Sequence, residues 1–573
     1  MKSIIALFVI TSLISLDCIG QINIQQYKNN HSLTYENTIS AYKKLDEKFE
    51  DGRLIEMGKA DCGKPIYLFV IDPTKTFDKT SFKNRTVLMI NNGIHPGEPC
   101  GIDASVNFVN DLMNDSNFIR RMENLNIGII PIYNVGGSLN RGCCSRANQN
   151  GPETYGFRGN ARNLDLNRDF IKRDSENAKI FAKIFHFLDP DVLVDTHTSN
   201  GADYQHVMTL LTTQLDKLNS SLSDLCRTDF VPTLYEKMKE TGYIMSPYVN
   251  TLQSIPDSGL YAYMESPRYC TGYAALFNTI GFTTETHMWK PFPERVQSTY
   301  EFLNVISTYL NQYGSEIKKA RANAFNNDAK QITFPLDWHL DTTKFEPIDF
   351  MGYEAEFYTS EVTGLETYRY NRKKPWTKKV NYYNKYIPSV SVKKPMYYVL
   401  PQAWKEVHER LKENGVSLTQ IKQDTSFLVS AYFIIDQNTP SRPYEGHYLH
   451  RNVQVMKKEQ LISFHKGDYI IPTAQKNVRF IIETLEPQAV DSYFAWNFFD
   501  EILQQKEYFS PYIFEEKAKE IVQNQPDLKA EFERLKESDV QFANNHWQQL
   551  YWIYKHSDNY EPTHLRYPVF RID

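Results

Sequence analysis

Beyond its first twenty residues the chain has no apolar run long enough to cross a bilayer, so no later segment is expected to span a membrane. It has no block of lysine and arginine either. Basic residues number 64 against 69 acidic ones, a net charge of −5. That balance gives no footprint for nucleic acid and little pull toward any charged partner. Cysteine is scarce, and none of the seven stands at zinc-finger spacing, which excludes a cysteine-built zinc site. There is no internal repeat and no low-complexity tract. With 41% hydrophobic and 23% charged residues, the chain is globular rather than disordered.

The N-terminus holds the one long apolar stretch. Lys2 precedes a run over 4–16, followed by Cys18, Ile19 and Gly20. A short positive region, an apolar run and a small residue are the parts of a secretory signal peptide over 1–20, so an exported protein is expected. Asp17 stands where a lipid-anchor site through Cys18 would want a small residue. Removal of the leader leaves Cys62, Cys100, Cys143, Cys144, Cys226 and Cys270, an even number that permits disulfides outside the cell.

The 573 residues exceed one core, at about three to four domains by length. Apolar runs at 86–90, 127–132, 192–195, 207–211 and 282–285 read as strands, and 102–113, 175–188 and 294–313 as amphipathic helices. Such alternation predicts an α/β domain over 21–327, with a mixed central sheet and helices on both faces. Composition changes afterwards. Residues 328–573 are expected to form a β-rich accessory domain with C-terminal helices. Within it, 427–435, 453–456 and 469–472 read as strands, 404–414 as a helix stopped by Gly415, 372–394 as a connector, and 491–503 and 514–536 as helical.

The chemistry starts at Val87-Leu88-Met89-Ile90-Asn91-Asn92-Gly93-Ile94-His95-Pro96-Gly97-Glu98. A buried strand runs into a tight turn that presents an imidazole and, three residues later, a carboxylate. Both are ligand types for a catalytic zinc, which takes three protein ligands and leaves one position open. A second apolar run, Val192-Leu193-Val194-Asp195-Thr196-His197, ends in another histidine. Between them lies Asp165-Leu166-Asn167-Arg168. Arg168 could grip a carboxylate through two parallel hydrogen bonds with Asn167 adding another, and Asp165 could fix the tautomer of a ligand histidine. Gly281-Phe282-Thr283-Thr284-Glu285 places a glutamate at a strand end, where it could serve as general base. His447 and His450 are expected to be structural.

This ordered set resembles the zinc metallocarboxypeptidases, the carboxypeptidase A-like peptidases, over roughly residues 30–315. Asn134-Val135-Gly136-Gly137 is similar to the family's Asn-x-Asp-Gly turn, with Gly136 in place of the acid, and Ser145-Arg146-Ala147-Asn148 to the segment carrying its carbonyl-polarising arginine. The resemblance implies one zinc per chain on His95, Glu98 and His197, with Asp165 behind a ligand. It implies Glu285 as general base, Arg146 at the oxyanion, and Asn167 with Arg168 on the substrate's C-terminal carboxylate. Arg141, Arg158 and Arg162 compete with Arg146. A substrate-capping tyrosine is implied some twenty residues before the glutamate. Tyr263 fits that spacing best, beside Tyr261, Tyr269 and Tyr273. Arg268 would favour an acidic terminal side chain if it faced the pocket.

The expected activity is therefore carboxypeptidase hydrolysis of peptides with a free C-terminal carboxylate. A peptidoglycan stem-peptide hydrolase or a small N-acyl amidohydrolase would use the same zinc site. A non-catalytic peptide- or glycan-binding protein would have no need of Glu285.

Overall fold

The computed structural model describes residues 23–573; the leader read over 1–20 lies outside them. Nine strands carry the first half: β1 (Gly52–Lys59), β2 (Pro65–Ile71), β3 (Thr86–Asn92), β4 (Leu125–Ile130), β5 (Val192–Ser199), β6 (Met208–Thr212), β7 (Ser246–Pro247), β8 (Leu260–Tyr261) and β9 (Ile280–His287). All but β8 form one mixed sheet in the order β1-β2-β4-β3-β5-β9-β6-β7. β3 lies between β4 and β5, parallel to both, and every one of its residues is buried. A strand covered on both faces has no solvated side, hence the unbroken apolar run. Parallel pairing of β5 with β9 sets His197 opposite Glu285.

Helices α1 (Tyr35–Lys48), α2 (Cys100–Asn114), α3 (Glu176–Leu188) and α4 (Phe292–Lys330) are prominent in this half. Thr34 and Ser175 cap α1 and α3 by accepting from the amides of Asn37 and Ala178, so orphan donors of the first turn are satisfied. The long α4 crosses the sheet at Gly314, where a Cβ would stand 2.1 Å from Thr86 Oγ1. Only glycine permits that approach.

The second half departs from its reading in three places. Residues 372–394 are no connector: Glu366–Tyr383 pairs antiparallel with Glu346–Thr359 in a long hairpin, and Tyr386–Lys393 pairs with Thr333–Leu340. Pro375 sits at a register shift of the hairpin, where a residue without an N–H is tolerated. Of 491–503 only Asp500–Leu503 is helical, as a 3-10 turn. The 514–536 helix is two, Pro511–Asn524 and Pro526–Ser538, broken where Pro526 removes an amide donor. The other readings hold to within their ends. Tyr469–Pro472 joins a six-stranded sheet, and Lys405–Glu413 stops before Gly415 at φ 73°.

One apolar core joins the halves. Phe181, Tyr273 and Phe277 belong to the same buried cluster as Phe480, Trp496 and Tyr567. Phe277 stacks on Phe480 at 5.3 Å between ring centres.

Candidate active site

β3 ends and the backbone reverses at Gly93, with φ 68°. Asn134 holds the turn from below: its Nδ2 donates to Ile94 O and Arg158 O, and its Oδ1 accepts from Gly137 N. At Gly136 a Cβ would lie 2.8 Å from Ala161 N, so this turn has no space for the acid of the family pattern. The reversal buries His95 and Glu98. β5 delivers His197, equally buried, against them.

His95 Nδ1 lies 3.2 Å from Glu98 Oε1, and His197 Nδ1 lies 3.0 Å from Glu98 Oε2. The three donor atoms fall within 4.8 Å of one another, the sole such cluster of three among the described residues. Each far nitrogen is tied to a carboxylate, His95 Nε2 to Asp165 Oδ1 and His197 Nε2 to Asp195 Oδ2, both at 2.9 Å. Such partners place the ring proton on Nε2 and turn the Nδ1 lone pair inward. Two imidazole nitrogens and a carboxylate, oriented this way, fit a divalent zinc. Asp195 was missed in the sequence reading. The signal was there: residues two apart on a strand share a face, and His197 is two beyond Asp195.

Electrostatics hold the cluster together. Burial opposes ionisation of Glu98, yet the Arg146 guanidinium and the two imidazoles hold its carboxyl well below the usual range. Arg146 Nη1 donates to Glu98 Oε1 at 2.8 Å and Nη2 to Thr198 O at 3.1 Å. Of its three competitors, Arg141 bonds Ser32 and Thr154, and Arg162 bonds Asp174 O, away from the cleft. Arg158 stays close: it donates twice to Asp165 Oδ2, and its Nη1 is 3.4 Å from His95 Nδ1.

These groups line a cleft of about 540 Å³ that also takes in Asn167, Arg168, Tyr263, Glu265 and Glu285. The Glu285 carboxyl, opposite His197, is pushed up to about 8 by burial and by the charges of Glu98 and Asp195, against His197 and Arg146. Asn167 and Arg168 sit on a 3-10 turn capped by Asp165, whose Oδ1 accepts from Asn167 N as well as facing His95. Arg168 lies over the Tyr269 ring at 4.4 Å, donates from Nε to Tyr444 Oη at 2.8 Å and from Nη1 to Asn167 O. Glu445 accepts from Asp165 N at 2.8 Å. Tyr444 and Glu445 come from the second half of the chain.

Tyr263 and Tyr269 line the cleft and share a hydroxyl–hydroxyl bond. Tyr273 is buried in the core, bonded to Asn414, and Tyr261 belongs to β8. Arg268 does not enter the pocket. It pairs with Asp491 at 2.7 Å and lies over the Trp496 ring, so it selects no acidic side chain. His447 and His450 are separately engaged, with Asp174 and Asp500. His206 and His287 bond the backbone oxygens of Ile244 and Ala202. Cys143 and Cys144 form a vicinal disulfide just before Ser145 and Arg146, while Cys62, Cys100, Cys226 and Cys270 are free.

A family model described as zinc carboxypeptidase matches residues 38–200. Carboxypeptidase 2 of Trichophyton tonsurans is 21% identical over 493 residues, covering 80% of this chain and 81% of its own. Its counterpart in Trichophyton rubrum is 20% identical with the same coverage. The solved metallo-carboxypeptidase from Burkholderia cenocepacia aligns over 49% of this chain and 70% of its own, at 14% identity and a TM-score of 0.38. The matched segment holds His95, Glu98, Arg146, Asp165, Asn167, Arg168 and His197, so over residues 38–200 the chain is similar to the zinc carboxypeptidases.

Proposed function

We propose that the protein removes the terminal residue from peptides with a free C-terminal carboxylate, with one zinc ion held by His95 Nδ1, Glu98 and His197 Nδ1. The observation that carries this reading is the meeting of that donor cluster, Glu285 and Arg168 in a single cleft. When bound, zinc would polarise the scissile carbonyl and lower the pKa of water to about 7. Glu285 takes the proton from the attacking water and returns one to the leaving amine. Arg146 donates hydrogen bonds to the oxyanion of the tetrahedral intermediate. Asn167 and Arg168 hold the terminal carboxylate, which sets the cut one residue from the end. Tyr263 closes over the bound residue, and Asp165 keeps His95 in its ligand tautomer.

In this reading residues 21–327 carry the chemistry and 328–573 brace the cleft. Export on the leader over 1–20 accords with the Cys143–Cys144 disulfide, since such bonds persist in oxidising compartments.

The test is a panel of C-terminally free and C-terminally amidated peptides, with and without chelator, beside Glu285→Gln. Terminal residues should be released from free peptides only. Chelator should abolish the release and added zinc restore it. Glu285→Gln should lower kcat by about 100- to 10,000-fold. Turnover of cell-wall fragments alone would move the substrate to the stem peptide, and bound zinc without any turnover would leave a binding protein.

A further inference from the structure

The cleft has a second carboxyl that the mechanism leaves unused. Glu265 lines the cavity and is only 7% exposed. Its Oε2 is fully buried and accepts no hydrogen bond from any described residue. The cations whose charges reach it are engaged elsewhere. His197 lies between Glu98 and Asp195, Lys217 faces Glu483 at 3.7 Å, and Arg168 is turned to Tyr444 and Tyr269. A buried acceptor without a donor costs about 1–3 kcal/mol, more for a charged group. An acid kept in such a place is waiting for a donor that arrives with the ligand.

Position says which part of the ligand. Leu211 and Thr283, opposite each other on β6 and β9, line the same cavity. Thr283 is two residues before Glu285 on β9, so both project from one face, roughly 7 Å apart. Glu265 therefore shares its cavity with the strand face that carries the general base proposed above. Burial, with the Asp195 charge adding to it, pushes the Glu265 carboxyl up to about 7. An arriving cation would favour the ionised form and find an acceptor already free of competitors.

We propose that Glu265 makes the enzyme selective for a cationic C-terminal side chain, lysine or arginine, whose charged end it receives within the cleft. The assignment of this part of the cleft to the terminal residue rests on the carboxypeptidase reading.

The experiment uses full-length, zinc-loaded protein and peptides identical except for a last residue of Arg, Lys, Leu or Glu. In the wild type, kcat/KM for Arg and Lys should exceed that for Leu by about 10- to 100-fold. Glu265→Gln should cut that ratio at least tenfold, while Glu265→Asp, which keeps the charge, retains part of it and serves should the glutamine variant misfold. Calorimetry with free L-arginine and L-leucine gives a readout without turnover: arginine should bind the wild type, and the substitution should weaken it more than leucine. A wild type that prefers Leu or Glu, or a ratio untouched by both substitutions, overturns the proposal. If no peptide is cleaved while arginine binding still depends on Glu265, the peptidase reading fails and the cation site stands.

Discussion

Asp195 shows how much a single side chain behind a ligand can decide. It accepts from His197 Nε2 and so aims Nδ1 at the cluster. Asp195→Asn should keep the shape but lose the charge, lowering zinc affinity about 10- to 100-fold, read by competition with a chelating dye. Glu265 carries a pH signature of its own. Its carboxyl moves from 4.5 in the unfolded chain to about 7 in the fold, with Asp195 adding to burial and His197, Lys217 and Arg168 opposing it. Between those values the folded state keeps a proton that the unfolded state releases, so stability falls as pH rises through that window. Each pH unit there is worth about 1.4 kcal/mol. Glu265→Gln should therefore match the wild type near pH 4.5 and exceed it by about 3 kcal/mol at pH 8, measured by urea denaturation. Such residues differ in how plainly the sequence spoke of them. His95, Glu98 and His197 follow apolar strands and announce themselves. Arg268 was read as a possible specificity residue because its true partner, Asp491, stands 223 residues away.

At the scale of elements, the turn that carries Asn167 and Arg168 is short, and its stiffness is borrowed. Asp165 caps it from inside, while Tyr444 and Glu445 hold it from the second half. Tyr444→Phe removes the acceptor for Arg168 Nε and leaves the ring. Steady-state kinetics should show KM for free-carboxylate peptides rising about tenfold with kcat nearly unchanged, the mark of a positioning residue. Five first-half strands, β3, β4, β5, β6 and β9, were legible because each carries an apolar run, over 87–90 in β3 and ahead of the polar ends of β5 and β9, whereas β1 and β2 went unread. The hairpin of Glu346–Thr359 with Glu366–Tyr383 was not. Its faces are largely exposed, so no hydrophobic period marks it, and what stabilises it is backbone pairing with a partner that composition does not reveal. The split at Pro526 was legible in principle, since a proline inside a helical pattern marks a boundary.

The two halves do not behave as separable bodies. Phe277 stacks on Phe480, Tyr273 bonds Asn414, and the Arg268–Asp491 pair is buried where they meet. A chain ending at residue 327 would expose that apolar face and strand Arg268 without its acid. Residues 21–327 alone should therefore aggregate or stay unfolded, seen by size exclusion and circular dichroism, whereas the full chain should melt in one transition. The seam runs through Asp165. Its amide is held by Glu445 from one half, and its Oδ1 receives both the Asn167 amide and the ring of His95. An oxygen shared by two donors has one supply of charge to divide between them. In the proposed reading, capture of the cation and recognition of the chain terminus are then two readings of one balance, and by thermodynamic reciprocity whatever factor the first lends the second is returned in kind.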